Sequence, residues 1–186
     1  MRPVRLLTTR VLSLEMTLEA YRAGRESERN GRRLRIESHS RMPLQRYRAL
    51  YEAVGAAHHW TSRLLPDDRL REEIHNPKCR IYTAALGHET VGWFEIELRR
   101  AIREARIVHF GMLPAFQGLG HAGEMLKGAI EAGFSEGPKR LIIETNTLDH
   151  PAALKLYRKH GFVPYASREV QTPTFDSFLD RARAAS

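Results

Sequence analysis

The residues most able to do chemistry lie between Val108 and Phe134, in VHFGMLPAFQGLGHAGEMLKGAIEAGF. An apolar run breaks at Pro114 and leads into Gln117-Gly118-Leu119-Gly120-His121-Ala122. A helical pattern follows, in which Leu119, Ala122, Met125, Leu126, Ala129, Ile130, Gly133 and Phe134 recur at three- and four-residue steps. A strand, a glycine loop and a helix opened by that loop turn several backbone N–H groups outward, with the positive end of the helix dipole behind them. Such a junction suits a phosphate, and Gly118 and Gly120 let an anion approach without a Cβ in the way. A short glycine loop before a helix is also a common plain connection, so spacing alone leaves both readings open.

Proton chemistry has two candidates by residue type. His109 lies on the strand feeding the loop, and imidazole suits a base near neutrality, although a lone histidine in an apolar strand is commonly a packed core group. Glu95 and Glu97 share one face of an earlier strand with Trp93, opposite Phe94, Ile96 and Leu98. Two carboxylates so spaced form either a catalytic pair or the solvent side of an antiparallel sheet. The run His58-His59-Trp60 resembles a metal fragment, but adjacent histidines diverge and no third ligand has suitable spacing, so no metal is expected.

The elements that must position these groups read as an α/β chain. Val11, Leu12, Leu14 and Met16 suggest a short strand or packed arm, and Thr17 to Asn30 an exposed helix or linker. Arg33 to Ser38 alternates as the first strand of the domain proper. Helices are expected from Pro43, with Leu44, Tyr47, Leu50, Tyr51 and Val54 on one face, and from Asp67 to His75, stopped by Asn76-Pro77. Cys79–Leu86 and Val91–Leu98 flank a hairpin turn at Gly87-His88-Glu89-Thr90. Arg106–Leu113 and Lys139–Thr147 are strands joined through the central helix, so they should run parallel. Asp149 and Pro151 start a helix carrying Ala153, Leu154 and Tyr157, Gly161 ends it, and Phe162–Tyr165 begins the last strand. The expected organisation is an N-terminal arm and charged linker over residues 1–31, one domain over 32–172 and a tail over 173–186.

With 186 residues, 42% apolar and 28% charged, the chain has the makings of one soluble domain. No stretch approaches a membrane span, and the N-terminus lacks a secretory pattern. Early Glu15 and Glu19 argue against a transit peptide, and the single Cys79 allows no internal disulfide, so a cytoplasmic protein is expected. Thirty Lys and Arg against 22 Asp and Glu, net +8, suit a solvated basic surface, an anionic cofactor or a nucleic acid.

Two motifs in order decide among these classes. Gln117–Ala122 matches Q/R-x-x-G-x-G/A with Pro114 three residues ahead, and ALKLYRKHGF follows from Ala153 to Phe162. Together they resemble the GNAT superfamily of acetyl-CoA-dependent acetyltransferases over about half the chain, from Cys79 to Val170. The resemblance implies a mixed, mostly antiparallel twisted sheet flanked by helices, its central parallel pair splayed around CoA. It implies backbone contacts from Met112 and Leu113 to the acetyl and pantetheine groups. It further implies a pyrophosphate enclosed by Gln117, Gly118, Leu119, Gly120, His121 and Ala122, and a pantetheine contact from Asn146. Tyr157 would protonate the departing thiolate, which suits a phenol, although its spacing also permits packing on the sheet.

The sequence departs from the pattern at Arg106, in the region where many relatives carry the basic glutamate, which leaves His109, Glu95, a water-mediated route or no dedicated base. It departs again at His150, commonly asparagine. The expected activity is acetyl transfer from acetyl-CoA, without a metal, to a primary amine of a small molecule, peptide N-terminus or lysine, by direct attack in a ternary complex. The resemblance implies that the loop at His58-His59-Trp60 helps wall the acceptor pocket, and that specificity lies in variable segments such as His39 to Trp60. The alternatives are an RNA-linked aminoacyl acceptor, or a non-catalytic CoA- or nucleic-acid-binding protein that keeps the fold. A homodimer is allowed, nucleic acid is not favoured and no membrane is involved.

Overall fold

The computed structural model describes residues 5–25 and 33–176. Its strands are β1 (Leu6–Thr17), β2 (Arg35–His39), β3 (Cys79–Leu86), β4 (Glu89–Arg99), β5 (Glu104–Met112), β6 (Arg140–Asn146) and β7 (Val163–Pro173). Its helices are α1 (Leu18–Arg25), α2 (Leu44–Gly55), α3 (Asp67–Ile74), α4 (Ala122–Phe134) and α5 (Ala153–Lys159). The seven strands form one sheet in the order β2-β3-β4-β5-β6-β1-β7. Every pairing is antiparallel except β5 with β6, which the intervening α4 makes parallel. This is the mixed, helix-flanked sheet expected from the motifs.

Two apolar clusters hold the layers together. Phe94, Ile96, Ile107, Leu141 and Ile143 meet Met125, Leu126, Ala129 and Phe134 of α4 on one face. Trp93 and Ile81 meet Tyr47, Leu50, Tyr51 and Val54 of α2 and Leu70 and Ile74 of α3 on the other. The period-2 alternation of β4 thus feeds both clusters. The face bearing Trp93 and Glu95 is therefore not a solvent face. Helices α2 and α3 cover it, leaving both side chains at most 1% exposed.

Three further expectations change. The N-terminal strand is neither short nor an arm, because its twelve residues pair with β6 on one side and β7 on the other. The division at residue 32 therefore cuts through a continuous sheet. Leu119 does not belong to the helix face; α4 begins at Ala122, and Leu119 sits in the loop at 61% exposure. The last strand extends to Pro173, where the tail was expected to begin, and Phe175 beyond it is buried. Residues 177–186 of the expected tail, 26–31 of the expected linker and residue 32 lie outside the described residues.

The feature that positions the site is local to β5. Glu95 of β4 faces His109 while the next residue, Ile96, faces Ile107, so Val108 is an extra residue in β5. Such a bulge bends the strand that carries it. Parallel pairing with β6 stops at the same place, running only from Glu104↔Arg140 to Ile107↔Ile143 although both strands continue. A gap opens there, between the end of β5 and the end of β6.

Helix α2 packs closely against β5 at Gly111. A Cβ on Gly111 would overlap the Val54 Cγ1 methyl of α2. Gly111→Ala should therefore lower stability by about 1–3 kcal/mol through overpacking. Adding Val54→Ala should recover part of that loss, as read from urea midpoints of the two single variants and the double.

Candidate active site

A cleft of about 1770 Å³ runs from the glycine loop through the gap to the other face of the sheet. Gln117, Gly118, Gly120, His121 and Ala122 line one end. Val108, Phe110, Ile143, Glu144 and Tyr157 line the middle, and Val54, His58, Trp60 and Asp149 the far side. Gly118 and Gly120 hold φ at +76° and +85°, a left-handed conformation open to glycine and strained for other residues. The backbone amides of Gly118, Leu119, Gly120 and His121 meet no protein acceptor among the described residues. Gln117 is the exception, its N–H being bonded to Pro114 O at 3.3 Å while its side chain donates to Met112 O. Helix α4 opens without a side-chain cap, and its first-turn carboxylate, Glu124, turns to the Leu34 N–H instead. Four orphan donors before an uncapped thirteen-residue helix fit a bound diphosphate.

The strand contacts divide. Leu113 donates its N–H to Val91 O and accepts from Phe116 N, and its side chain packs in the α2–α3 cluster. Its N–H is therefore turned away from the gap. Strand groups alternate in direction, so with Leu113 N–H turned to β4 the Met112 N–H points to the splayed side. Asn146, expected to touch the pantetheine, is engaged within the protein. Its amide donates to Thr9, its side-chain oxygen accepts from Leu148 N, and its backbone bonds Asp149.

The two candidate bases are joined. His109 Nδ1 lies 3.2 Å from Glu95 Oε2, and its Nε2 lies 3.2 Å from Ser62 Oγ. Glu95 also accepts from the Tyr47 hydroxyl at 2.6 Å and from Arg63 at 2.5 Å. Burial opposes its charge, but His109 and Arg63 outweigh that and hold its carboxyl well below the usual range. Both oxygens are occupied, the group is 1% exposed and its proton affinity is low, so Glu95 is a poor direct base. The rings of Tyr51, Trp60 and Trp93 enclose His109 at 5.2, 5.0 and 5.9 Å.

Glu144, which the sequence did not single out, is a carboxylate lining the middle of the cleft. Arg106 and Arg168 both bind it and Ser13 donates to it. Despite partial burial these partners lower its pKa. Arg106, the departure from the family pattern, is thus held by a carboxylate from the neighbouring strand. Tyr157 reaches the gap from the opposite side, its ring edge-on to Phe110 at 6.2 Å. Burial, with Asp149 adding to it, raises its pKa and keeps the phenol protonated.

The histidine pair diverges as its adjacency requires. His58 donates through Nδ1 to Leu148 O at 3.0 Å, whereas His59 Nδ1 accepts from Phe175 N. Among the described residues no group of three or more His, Cys, Asp or Glu is placed to hold a metal. No helix among them is long and apolar enough to cross a membrane. His150 accepts the Ala152 N–H at 3.2 Å, which makes it a cap for the turn ahead of α5.

The Glu95 network has a measurable signature. A depressed carboxyl contributes stability that is complete above the ordinary Glu pKa of about 4.3 and declines as the pH falls below it. Glu95→Gln should cost about 3–5 kcal/mol near neutrality, because it strands the largely buried Arg63. It should also flatten the decline in urea stability below pH about 4, where the wild type loses the Glu95 contribution.

Residues 44–162 match the acetyltransferase (GNAT) family. No match was found among curated proteins. Among solved structures, spermidine N-acetyltransferase from Vibrio cholerae, in complex with CoA and spermine, is 18% identical with a TM-score of 0.59, covering 79% of this chain and 98% of its own. An aminoglycoside acetyltransferase from an uncultured soil metagenomic sample, in complex with sisomicin, is 17% identical with a TM-score of 0.56, covering 69% and 88%. A functionally unknown conserved protein from Staphylococcus epidermidis is 17% identical with a TM-score of 0.62, covering 91% of this chain; this chain spans 63% of that protein's length. At these identities the structures testify to the fold, while the sequence match over most of the chain, on a splayed sheet with an open glycine loop, places the protein in the GNAT family of acetyltransferases.

Proposed function

We propose that the protein transfers the acetyl group of acetyl-CoA to a primary amine by direct attack within a ternary complex. The observation that carries this is the set of unoccupied amides from Gly118 to His121, in one cleft with Tyr157 and with Trp60, whose ring packs 5.0 Å from that of His109. Acetyl-CoA supplies the thioester. The loop amides, with Ala122 at the start of α4, hold its diphosphate, and Met112 N–H offers a donor along the gap. His109 is the base, with Glu95 fixing the ring and balancing the charge it acquires. Tyr157 donates the proton that the leaving thiolate needs.

The acceptor side is walled by Trp60, His58, Val54 and Asp149. Spermidine and sisomicin, the amines associated with the two structural neighbours, are sensible first acceptors to test, followed by a lysine peptide. An acceptor of this kind, rather than nucleic acid, is favoured because Arg106 and Arg168 beside the gap are already paired with Glu144.

Acetyl-CoA at 100 times its Kd should stabilise the fold by about 2.7 kcal/mol, seen as a rise in Tm. With an accepted amine, thiol release should fall about 10²–10⁴-fold in His109→Gln, and Tyr157→Phe should fall within the same range. Thermal stability indifferent to millimolar acetyl-CoA would overturn the reading.

A further inference from the structure

Asp149 is the carboxylate on the far side of the cleft, beside Val54, His58 and Trp60. Its Oδ2 accepts the Asn146 N–H at 2.7 Å and the Thr145 hydroxyl at 3.2 Å, which closes the turn ahead of α5. Its Oδ1 accepts the Trp60 indole N–H at the long distance of 3.4 Å. A carboxylate has about four lone-pair directions, so Oδ1 has room for a further donor from the cleft. All three partners are uncharged, and no Lys or Arg is paired with Asp149 among the described residues.

The other carboxylates of the cleft are placed differently. Glu144 is bound by Arg106 and Arg168. Glu124 accepts the Leu34 N–H, and Glu131 lies with it on α4. With a net charge of +8 the chain as a whole repels a cation. A cation that enters this cleft therefore needs a local negative charge that the protein's own cations leave unpaired, and Asp149 supplies it. That cation is not the nitrogen that reacts. An attacking amine must be neutral, whereas a carboxylate in contact with it favours its protonated form. Asp149 is near enough to the Tyr157 hydroxyl to raise its pKa, so the seat lies beside the reacting centre and both nitrogens belong to one small molecule.

We propose that Asp149 seats a second, protonated amino group of the acceptor, which makes the substrate a diamine or polyamine; the assignment rests on the transferase reading above. The ammonium donates to Asp149 Oδ1, whose position Trp60 and the Asn146 turn fix. The neutral amino group at the other end of the acceptor attacks the thioester. An amine whose other end is apolar lacks that contact, and one whose other end is a carboxylate is repelled.

The test uses the full chain with acetyl-CoA and measures thiol release from diaminopropane, diaminobutane and spermidine against propylamine and butylamine. The wild type should favour the best diamine or polyamine over the monoamines by about tenfold or more in kcat/KM, the scale of one charge-assisted hydrogen bond. Asp149→Asn keeps an acceptor for the Asn146 N–H and removes the charge, so it should abolish most of that preference through a higher KM for the diamine. Asp149→Glu, which keeps the charge, should retain part of it, and added salt should shrink it in the wild type. Because the readout is a ratio measured on one variant, a loss of stability does not mimic it. A wild type with no preference between the two sets, or a preference that survives in Asp149→Asn, overturns the seat and leaves the transferase standing. A panel in which no diamine or polyamine releases thiol also overturns the seat, and the transferase reading falls with it only where Tm is indifferent to acetyl-CoA.

Discussion

The arrangement depends on a failure of strand pairing. Two adjacent parallel strands would ordinarily stay bonded along their shared length, since unpaired backbone groups in a sheet are costly. Here β5 and β6 remain paired for four residues and then separate where Val108 is inserted. Each strand keeps its other neighbour, β4 on one side and β1 on the other, so the sheet survives the gap. The opening reaches through the sheet and lets a ligand on the α4 face meet side chains on the α2 face.

Beside that opening the protein buries charged groups. Glu95, Arg63, Tyr47 and His109 form a single network in which Glu95 holds three partners on its two oxygens. A buried ion pair is a weak source of net stability, because desolvation offsets most of the attraction. Its value lies in orientation, since a carboxylate held from three directions fixes the tautomer of the histidine beside it. The same network disqualifies Glu95 as a base, because the donors that position it also lower its affinity for a proton. Glu144 is disqualified by the same physics, with two guanidinium groups in place of one.

The site also shows why a residue pattern and a functional role can separate. Arg106 stands in the region where a basic glutamate is common in the family, and its partner Glu144 stands across the gap on β6. The carboxylate is present but neutralised, while His109 lies three residues beyond Arg106 on β5. His109 occupies the α2 face of β5 because the bulge restores the alternation one residue late, opposite Glu95.

Local chemistry in the sequence was sufficient for the glycine loop, the parallel crossover and the terminal motif helix. Gly118, Gly120, Pro114 and the period of α4 act through backbone geometry within a few residues, and such constraints do not need the rest of the fold. It was not sufficient for β1, whose alternation says that it is a strand but cannot say that its partners lie more than a hundred residues away. Leu119 keeps the helical spacing yet lies outside the helix, because a left-handed glycine on each side breaks the backbone that the spacing assumes. The hydrogen bonds that engage Asn146 and Leu113 within the protein likewise depend on partners brought in by the fold. The union of Glu95 and His109, and the place of Ser62 above them, was decided by tertiary structure alone. Those three residues come from β4, β5 and a loop, and only the pairing register and the packing of α2 bring their side chains within hydrogen-bond reach.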